Sequence, residues 1–203
     1  DGEDENTLKA AIAFKNSKLG IPILVGKESK IKEQIRNIGY NENFDIEIIN
    51  SKDEQKRKKY LKHLFEKLQR EQGLLERDCD RLLRNDRVIW ATSMVACGDA
   101  DGAVTGNTRR FGASLEKIKQ VVDVRKGEIM FGLNMVVHKG KTIFIGDTSV
   151  HEYPSSEEMA EIAVSTARVV RLFGFEPKVA FVSHSTFGQP LTSRTKHIRN
   201  AVE

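Results

Sequence analysis

IPILVGKESKIKEQIRNIGYNENFDIEII, residues 21–49, is the stretch that decides the fold class. After Pro22 comes a short apolar run, residues 23–26, of the length of a buried strand. Residues 28–38 predict a helix, and Gly39 supplies the usual stop after its last turn. Residues 44–49 return to strand-like alternation, with Ile46, Ile48 and Ile49 around Glu47. Strand, helix and strand in succession are the building unit of an α/β fold.

The alternation continues on both sides. Residues 6–19 predict a helix, with Leu8, Ala11, Ile12 and Lys15 spaced by three or four. Residues 52–70 belong to a strongly charged helix that ends at Gly73, in which Tyr60 and Phe65 suit a buried stripe. Residues 75–83 and 88–97 predict two further helices, the second apolar enough to be mostly buried and stopped by Gly98. A short strand over 100–104, a tight polar loop over 105–108 and a helix over 111–122 follow. The texture then changes. Residues 129–137, a turn at 138–141 and residues 142–145 predict an antiparallel hairpin. Ser155, Glu157 and Glu158 mark a helix start, with a hydroxyl cap and acids in the first turn. That helix is expected to reach Phe173 and end at Gly174, and residues 178–182 read as the last strand.

With 203 residues, 39% of them hydrophobic, the chain can build the core of one large domain or two small ones. No stretch approaches the roughly 20 apolar residues of a membrane helix. The opening Asp1-Gly2-Glu3-Asp4-Glu5 is acidic where a signal peptide is basic and then apolar. Cys79 and Cys97 form neither a disulfide framework nor a metal motif, so a cytoplasmic setting is expected. Much of the excess behind the net charge of +4 lies in residues 52–70, interspersed with acids. That pattern describes a solvated helix face, and neither a nucleic-acid nor a membrane partner is expected.

In open α/β sheets, ligands bind in the loops beyond the carboxyl ends of strands. Three loops qualify. In the first, Thr105, Gly106, Asn107, Thr108, Arg109 and Arg110 combine a close-approach glycine with hydroxyl, amide and guanidinium donors near a helix start, which suits a phosphate or another anion, although such loops also serve as plain turns. In the second, Asp147, with Thr148 and Ser149, orients a ligand hydroxyl or an arginine, or else bonds the backbone amides of its own loop. In the third, Ser183, His184, Ser185 and Thr186 lead to Phe187 and Gly188. Adjacent Ser and His in an extended segment point to opposite sides and no G-x-S-x-G elbow is present, so a polar ligand loop is expected there and not a hydrolase triad. The three loops are expected to converge on one cleft. His63, His138, His151 and His197 lack metal-ligand spacing, and neither a G-x-G-x-x-G motif nor a P-loop occurs. No catalytic residue and no metal ligand is assigned.

The same loops carry a resemblance. Residues 98–106 (GDADGAVTG) resemble the G-x-A-D-x-x-x-[ST]-G segment of the phosphate acetyltransferase/butyryltransferase family. Asp147-Thr148-Ser149-Val150, followed by Pro154-Ser155 and residues 158–163 (EMAEIA), is similar to its D-[TC]-x-V…P-[ST]-x-E-x-[LM]-A-x-I-A stretch. Residues 177–188 (PKVAFVSHSTFG) resemble its P-K-V-A-x-L-S-x-S-x-x-G strand and loop. Within the family, the chain most resembles the phosphotransacetylase-like C-terminal domain of large bacterial NAD(P)-dependent malic enzymes. The features are Gly2-Glu3-Asp4-Glu5, Ile21-Pro22-Ile23-Leu24-Val25-Gly26, the Ser183-His184-Ser185-Thr186-Phe187-Gly188 loop, and Ser193-Arg194-Thr195-Lys196 with Ile198-Arg199.

The resemblance implies a three-layer, two-lobed α/β fold of the phosphotransacetylase (isocitrate/isopropylmalate dehydrogenase-like) type. A first lobe is expected over residues 1–122 and an inserted second lobe over 123–203, with the family's first strand and its returning segment outside this chain, so that the fold is incomplete. It further implies an acyl-CoA cleft lined by Thr105, Gly106, Asn107, Arg109, Arg110, Asp147, Thr148, Ser183, Ser185 and Thr186. The family's two phosphate-holding arginines fall on Gln69, beside Arg70, and on Glu116. Carboxylate in place of guanidinium reverses the charge, so the domain alone is expected to lack transferase activity. The implied role is regulation: acetyl-CoA or a related acyl-CoA binds as an allosteric effector, in a homo-oligomer whose separate malic-enzyme catalytic domain carries NAD(P) and a divalent metal. The alternatives are an active phosphate acetyltransferase and a pure assembly module.

Overall fold

Leu24 explains the layering of the first half of the molecule. The protein is described by a computed structural model covering residues 1–41, 45–50, 53–186 and 189–203. Two short strands, β1 (Ile23–Val25) and β2 (Glu47–Ile49), pair in parallel with Leu24 opposite Ile48. Successive strand residues face opposite ways. Leu24 and Ile48 therefore pack with Leu8, Ile12, Ile31 and Ile35, which belong to helices α1 (Glu5–Asn16) and α2 (Glu28–Asn37). Ile23, Val25 and Ile49 turn to the other side and join a larger cluster. The result is helices, sheet and helices in three layers.

That larger cluster is made by four consecutive helices: α3 (Glu54–Gln72), α4 (Glu76–Asn85), α5 (Arg87–Ala96) and α6 (Phe111–Val121). Tyr60, Leu64 and Leu68 recur every four residues along α3 and are fully buried against Trp90 and Met94 of α5. Asp53 caps α3 by accepting from the Lys56 amide, and Gly73 ends it at φ 66°, a left-handed turn that costs glycine no Cβ clash. Between α4 and α5 stands only Asp86, whose carboxylate accepts from the Val88 and Ile89 amides. The charged helix read from the sequence is thus present, with Tyr60 inside. Lys67 is a surprise. It is buried, and its ammonium is paired with Asp123 and, at 3.7 Å, with Glu71.

The chain divides into two compact units, Asp1–Asp123 and Val124–Glu203. The second begins with a hairpin of β3 (Leu133–His138) and β4 (Lys141–Gly146), antiparallel with His138 opposite Lys141. Lys139 and Gly140 both have positive φ, the two-residue turn whose twist suits a hairpin. Helix α7 (Ser156–Leu172) carries the expected cap in full, a reciprocal box between Ser155 and Glu158. Phe173 and Phe175, just beyond it, meet Phe144 of the hairpin in tilted and edge-on contacts, with centroids 5.7 and 5.6 Å apart. Helix α8 (Ser193–Val202) closes the unit, capped by Thr192.

Several expectations need correction. Residues 100–104 and 178–182 are not strands. A strand exists only through a partner, and neither segment has a backbone hydrogen bond among the described residues; Val104 and Val182 are 98% and 91% exposed. The hairpin starts at Leu133 and not at 129, because its partner strand ends at Gly146, opposite Leu133. Helix α1 stops at Asn16, with Ser17 capping it and Lys18 in a left-handed conformation. For the strand expected over 44–49, Phe44 lies outside the described residues, as do Phe187 and Gly188 of the third loop. Among the described residues no helix is long and apolar enough to cross a membrane.

Leu64→Ala is expected to cost about 2–5 kcal/mol of stability, since it opens a cavity in the larger cluster. Leu172→Ala, on the largely exposed end of α7, is expected to stay within about 0.5 kcal/mol. Urea denaturation of the two variants beside the parent measures the contrast.

Candidate functional site

The glycine- and arginine-bearing loop is a turn between residue 104 and α6. Its donors are not idle. Asn107 Nδ2 donates to Asp4 Oδ1 at 2.5 Å, and Thr108 Oγ1 to Asp1 Oδ2 at 2.5 Å. Arg109 reaches Asp86 Oδ2 at 3.4 Å and Asp1 Oδ1 at 3.9 Å. Three consecutive side chains thus face carboxylates of the same unit. Asp4 also caps α1 through the Thr7 amide, and these bonds hold its carboxyl below the ordinary range. Arg110 differs: it is exposed at the start of α6 and has no ion pair among the described residues. Thr105 and Gly106 are half-buried, with Gly106 at φ 111°.

The loop's approach from α5 is fixed separately. Asp99 accepts from Tyr60 Oη at 2.7 Å and from Lys59 Nζ at 2.6 Å. The Lys59 and Tyr60 bonds hold the Asp99 carboxyl below its usual value, while burial pushes the Tyr60 phenol up.

In the second unit, Asp147 is the organising side chain, 5% exposed. Its carboxylate accepts from the Gly132 amide at 2.7 Å and the His151 amide at 2.8 Å, and more distantly from Ser149 and Val150. His151 Nδ1 lies 2.6 Å from the same carboxylate. Of the two roles open to Asp147 in the sequence, bonding its own loop is the one present. The Gly132 contact stitches this loop to the start of β3. Burial raises the Asp147 carboxyl, but the bonds from Gly132, His151 and Ser149 outweigh it and leave the group below its ordinary value. Close packing continues around it. A Cβ on Gly146 would meet Thr166 Oγ1 at 2.6 Å, and one on Gly132 would meet Thr148 Oγ1 at 3.1 Å.

In the third loop, Ser183 Oγ and Ser185 Oγ lie 3.0 Å apart, Thr186 is exposed and bridged through its backbone to Gln189, and His184 is exposed. Ser183 and Ser185 bond each other and not His184, in keeping with a polar loop. On the family's arginine positions, Gln69 is exposed near the end of α3, and Glu116 is exposed on α6 with Lys119 at 4.0 Å. The loop-organising contacts of His151, Asp1, Asp4 and Asp86 were not foreseen from the sequence. Only the last two carried a signal, as acids directly before helices.

The profile of the phosphate acetyl/butaryl transferase family matches residues 1–203. The chain belongs to this family. Its transferase-family fold is that of solved phosphotransacetylases. The EutD phosphotransacetylase from Staphylococcus aureus superposes with a TM-score of 0.86 at 27% identity, covering 100% of this chain and 60% of that one. A phosphotransacetylase from Streptococcus pyogenes gives 0.85 at 25% identity. In sequence, the chain is 37% identical over its whole length to an NADP-dependent malic enzyme of Rhizobium meliloti, of which it covers 27%. It is also 31% identical to a phosphate acetyltransferase of Helicobacter pylori, covering 92% of this chain and 36% of that protein. The chain thus spans about a quarter of the length of the malic enzymes it matches.

Asp147→Ala strands the Gly132 and His151 amides and is expected to cost about 1–3 kcal/mol at neutral pH. A carboxyl whose folded pKa is depressed contributes fully above its unfolded value of about 4 and loses that contribution as pH falls through the folded value. The stability gap between the parent and Asp147→Asn should therefore narrow from pH 6 to pH 3. Urea titrations across that range measure it.

Proposed function

We propose that this chain is the phosphotransacetylase-like regulatory domain of a cytoplasmic, oligomeric NAD(P)-dependent malic enzyme, and that it binds acetyl-CoA or a related acyl-CoA as an allosteric effector. The two units act as the family's two lobes, the second inserted in the first. The oxidative decarboxylation of malate to pyruvate belongs to a separate catalytic domain that supplies NAD(P) and a divalent metal. Among the described residues no group of three His, Cys, Asp or Glu side chains is placed to hold a metal, and the role proposed for this domain runs through none.

The observation that carries this reading is Glu116. An acid stands on α6 where the family resemblance places a phosphate-holding arginine, in a chain that matches malic enzymes along its whole length. A carboxylate repels the phosphate that a transferase must hold while charge develops. Binding survives this loss more readily than chemistry does, because CoA carries several anionic groups that other cations can meet. Arg110, exposed and free of any ion pair among the described residues, is the best-placed of them. An effector needs only to favour one state of the assembly, by about 1–3 kcal/mol in typical cases.

The second reading, an active phosphate acetyltransferase, draws on the likeness to the Helicobacter pylori enzyme and the solved phosphotransacetylases. A coupled assay for acetyl phosphate separates the two: no formation above background is expected, and turnover at ordinary enzyme rates establishes the second reading instead. Acetyl-CoA is expected to bind at equilibrium, and Arg110→Ala to weaken it about three- to tenfold, the scale of one charge-assisted contact. Absence of acetyl-CoA binding in the parent leaves assembly as the domain's role.

A further inference from the structure

Of the five histidines in the chain, one is set apart by its partner. His63 donates from Nε2 to the Val121 carbonyl at 3.0 Å, while His138, His184 and His197 are exposed with no side-chain hydrogen bond among the described residues. His151, in the loop between β4 and α7, has a carboxylate on its ring: Nδ1 lies 2.6 Å from Asp147 Oδ2.

The bonds around this pair fix where its protons sit. Asp147 Oδ1 accepts from the Gly132, Ser149 and Val150 amides, and Oδ2 accepts from the His151 amide. A carboxyl that takes four amide N–H groups is held ionised at neutral pH, and an ionised carboxylate can only accept. The proton between the two side chains therefore belongs to Nδ1. In the neutral ring, Nε2 then carries the lone pair. That nitrogen has no partner among the described residues, yet it is not one of the buried unpartnered atoms: the side chain is 22% exposed, and solvent reaches Nε2. Turning the ring over would break the Nδ1 bond and deprive a carboxylate only 5% exposed of a donor.

A buried carboxylate behind Nδ1 and an open lone pair at Nε2 are what make an imidazole a nucleophile. The carboxylate sets the tautomer and stabilises the positive charge that develops as Nε2 reacts. We propose that Asp147 and His151 form a nucleophilic dyad, with His151 Nε2 as the acyl-accepting atom and small, uncharged, activated acyl donors as its substrates. An uncharged donor approaches the Asp147 carboxylate without repulsion. Nε2 attacks the acyl carbon with its lone pair, the bond to the leaving oxygen breaks, and the leaving group departs as an anion. Nδ1 keeps its proton against Asp147, which pairs with the acyl-imidazolium. Water then adds to the acyl carbon, the carbon–nitrogen bond breaks, Nε2 recovers its pair, and the carboxylic acid is released. The net change is acyl donor plus water to carboxylic acid plus the protonated leaving group. His151 is the catalytic residue and Asp147 the positioning residue. The dyad needs no bound acyl-CoA, so it stands or fails separately from the regulatory reading.

Diethyl pyrocarbonate and p-nitrophenyl acetate are the probes. With limiting diethyl pyrocarbonate, peptide mass mapping of the parent chain is expected to find His151 modified ahead of the other four histidines. Nitrogen NMR of the parent is expected to show the His151 proton on Nδ1 and Nε2 bare. With p-nitrophenyl acetate, His151→Asn is expected to release p-nitrophenolate about tenfold more slowly, below the hundredfold or more of a base in a fully assembled site. Asp147→Asn turns an amide N–H toward Nδ1 and moves the ring proton to Nε2, so its rate is expected to fall to that of His151→Asn. Modification spread evenly over the exposed histidines, a ring proton on Nε2, or a parental release rate in either variant overturns the proposal. The mapping and the NMR use the parent alone and so do not depend on either variant folding.

Discussion

A buried tyrosine must place its hydroxyl as well as its ring, and Tyr60 does both in a way that sets the first unit. Its ring meets Trp90 edge-on with centroids 5.2 Å apart, which fixes α3 against α5. Its hydroxyl donates to Asp99, one residue beyond the Gly98 turn that ends α5. The direction in which the chain leaves the core is thereby linked to the packing inside it. Everything that follows, the exposed run to Val104, the loop and the start of α6, departs from that anchored aspartate. The family's G-x-A-D signature begins at the same place, so the motif has a structural duty before any ligand is considered.

Helices were the legible part of the sequence because their information is local. Spacing of three and four, a capping hydroxyl and a closing glycine lie within one segment, and Ser155 with Glu158 or Gly73 after α3 could be read directly. The hairpin was legible for the same reason, since its turn joins adjacent strands. Strands at 100–104 and 178–182 were expected on composition alone, and composition cannot supply a partner. Lys67 was hidden differently: one lysine in a run of charges looks like its neighbours until Asp123 and the helix face place it inside.

The candidate site divides along the same line. Loop positions and residue types were visible, as was the reversal at Glu116, once the resemblance aligned it. Which donors were already spoken for was not, because Asp1 and Asp4 lie a hundred residues away from the loop they meet. Asp147 was visible as an acid after a strand, yet its five donors come from backbone and from His151, which no motif marks. Sequence locates a loop's chemistry. Only the fold says whether that chemistry is available.

Asp86 has a further consequence, for how lineages of this domain can vary. It is at once the residue after α4, the cap of α5 and a partner of Arg109. One residue with three obligations leaves no slack at the junction. Inserting or deleting a residue there would rotate α5 by about 100° about its axis, swinging Trp90 out of the core and the cap away from its amides. Gain and loss of chain length in descendants should therefore be purged between α4 and α5 and accumulate in exposed runs such as residues 101–104. The site's geometry is then inherited through a joint that natural selection cannot lengthen.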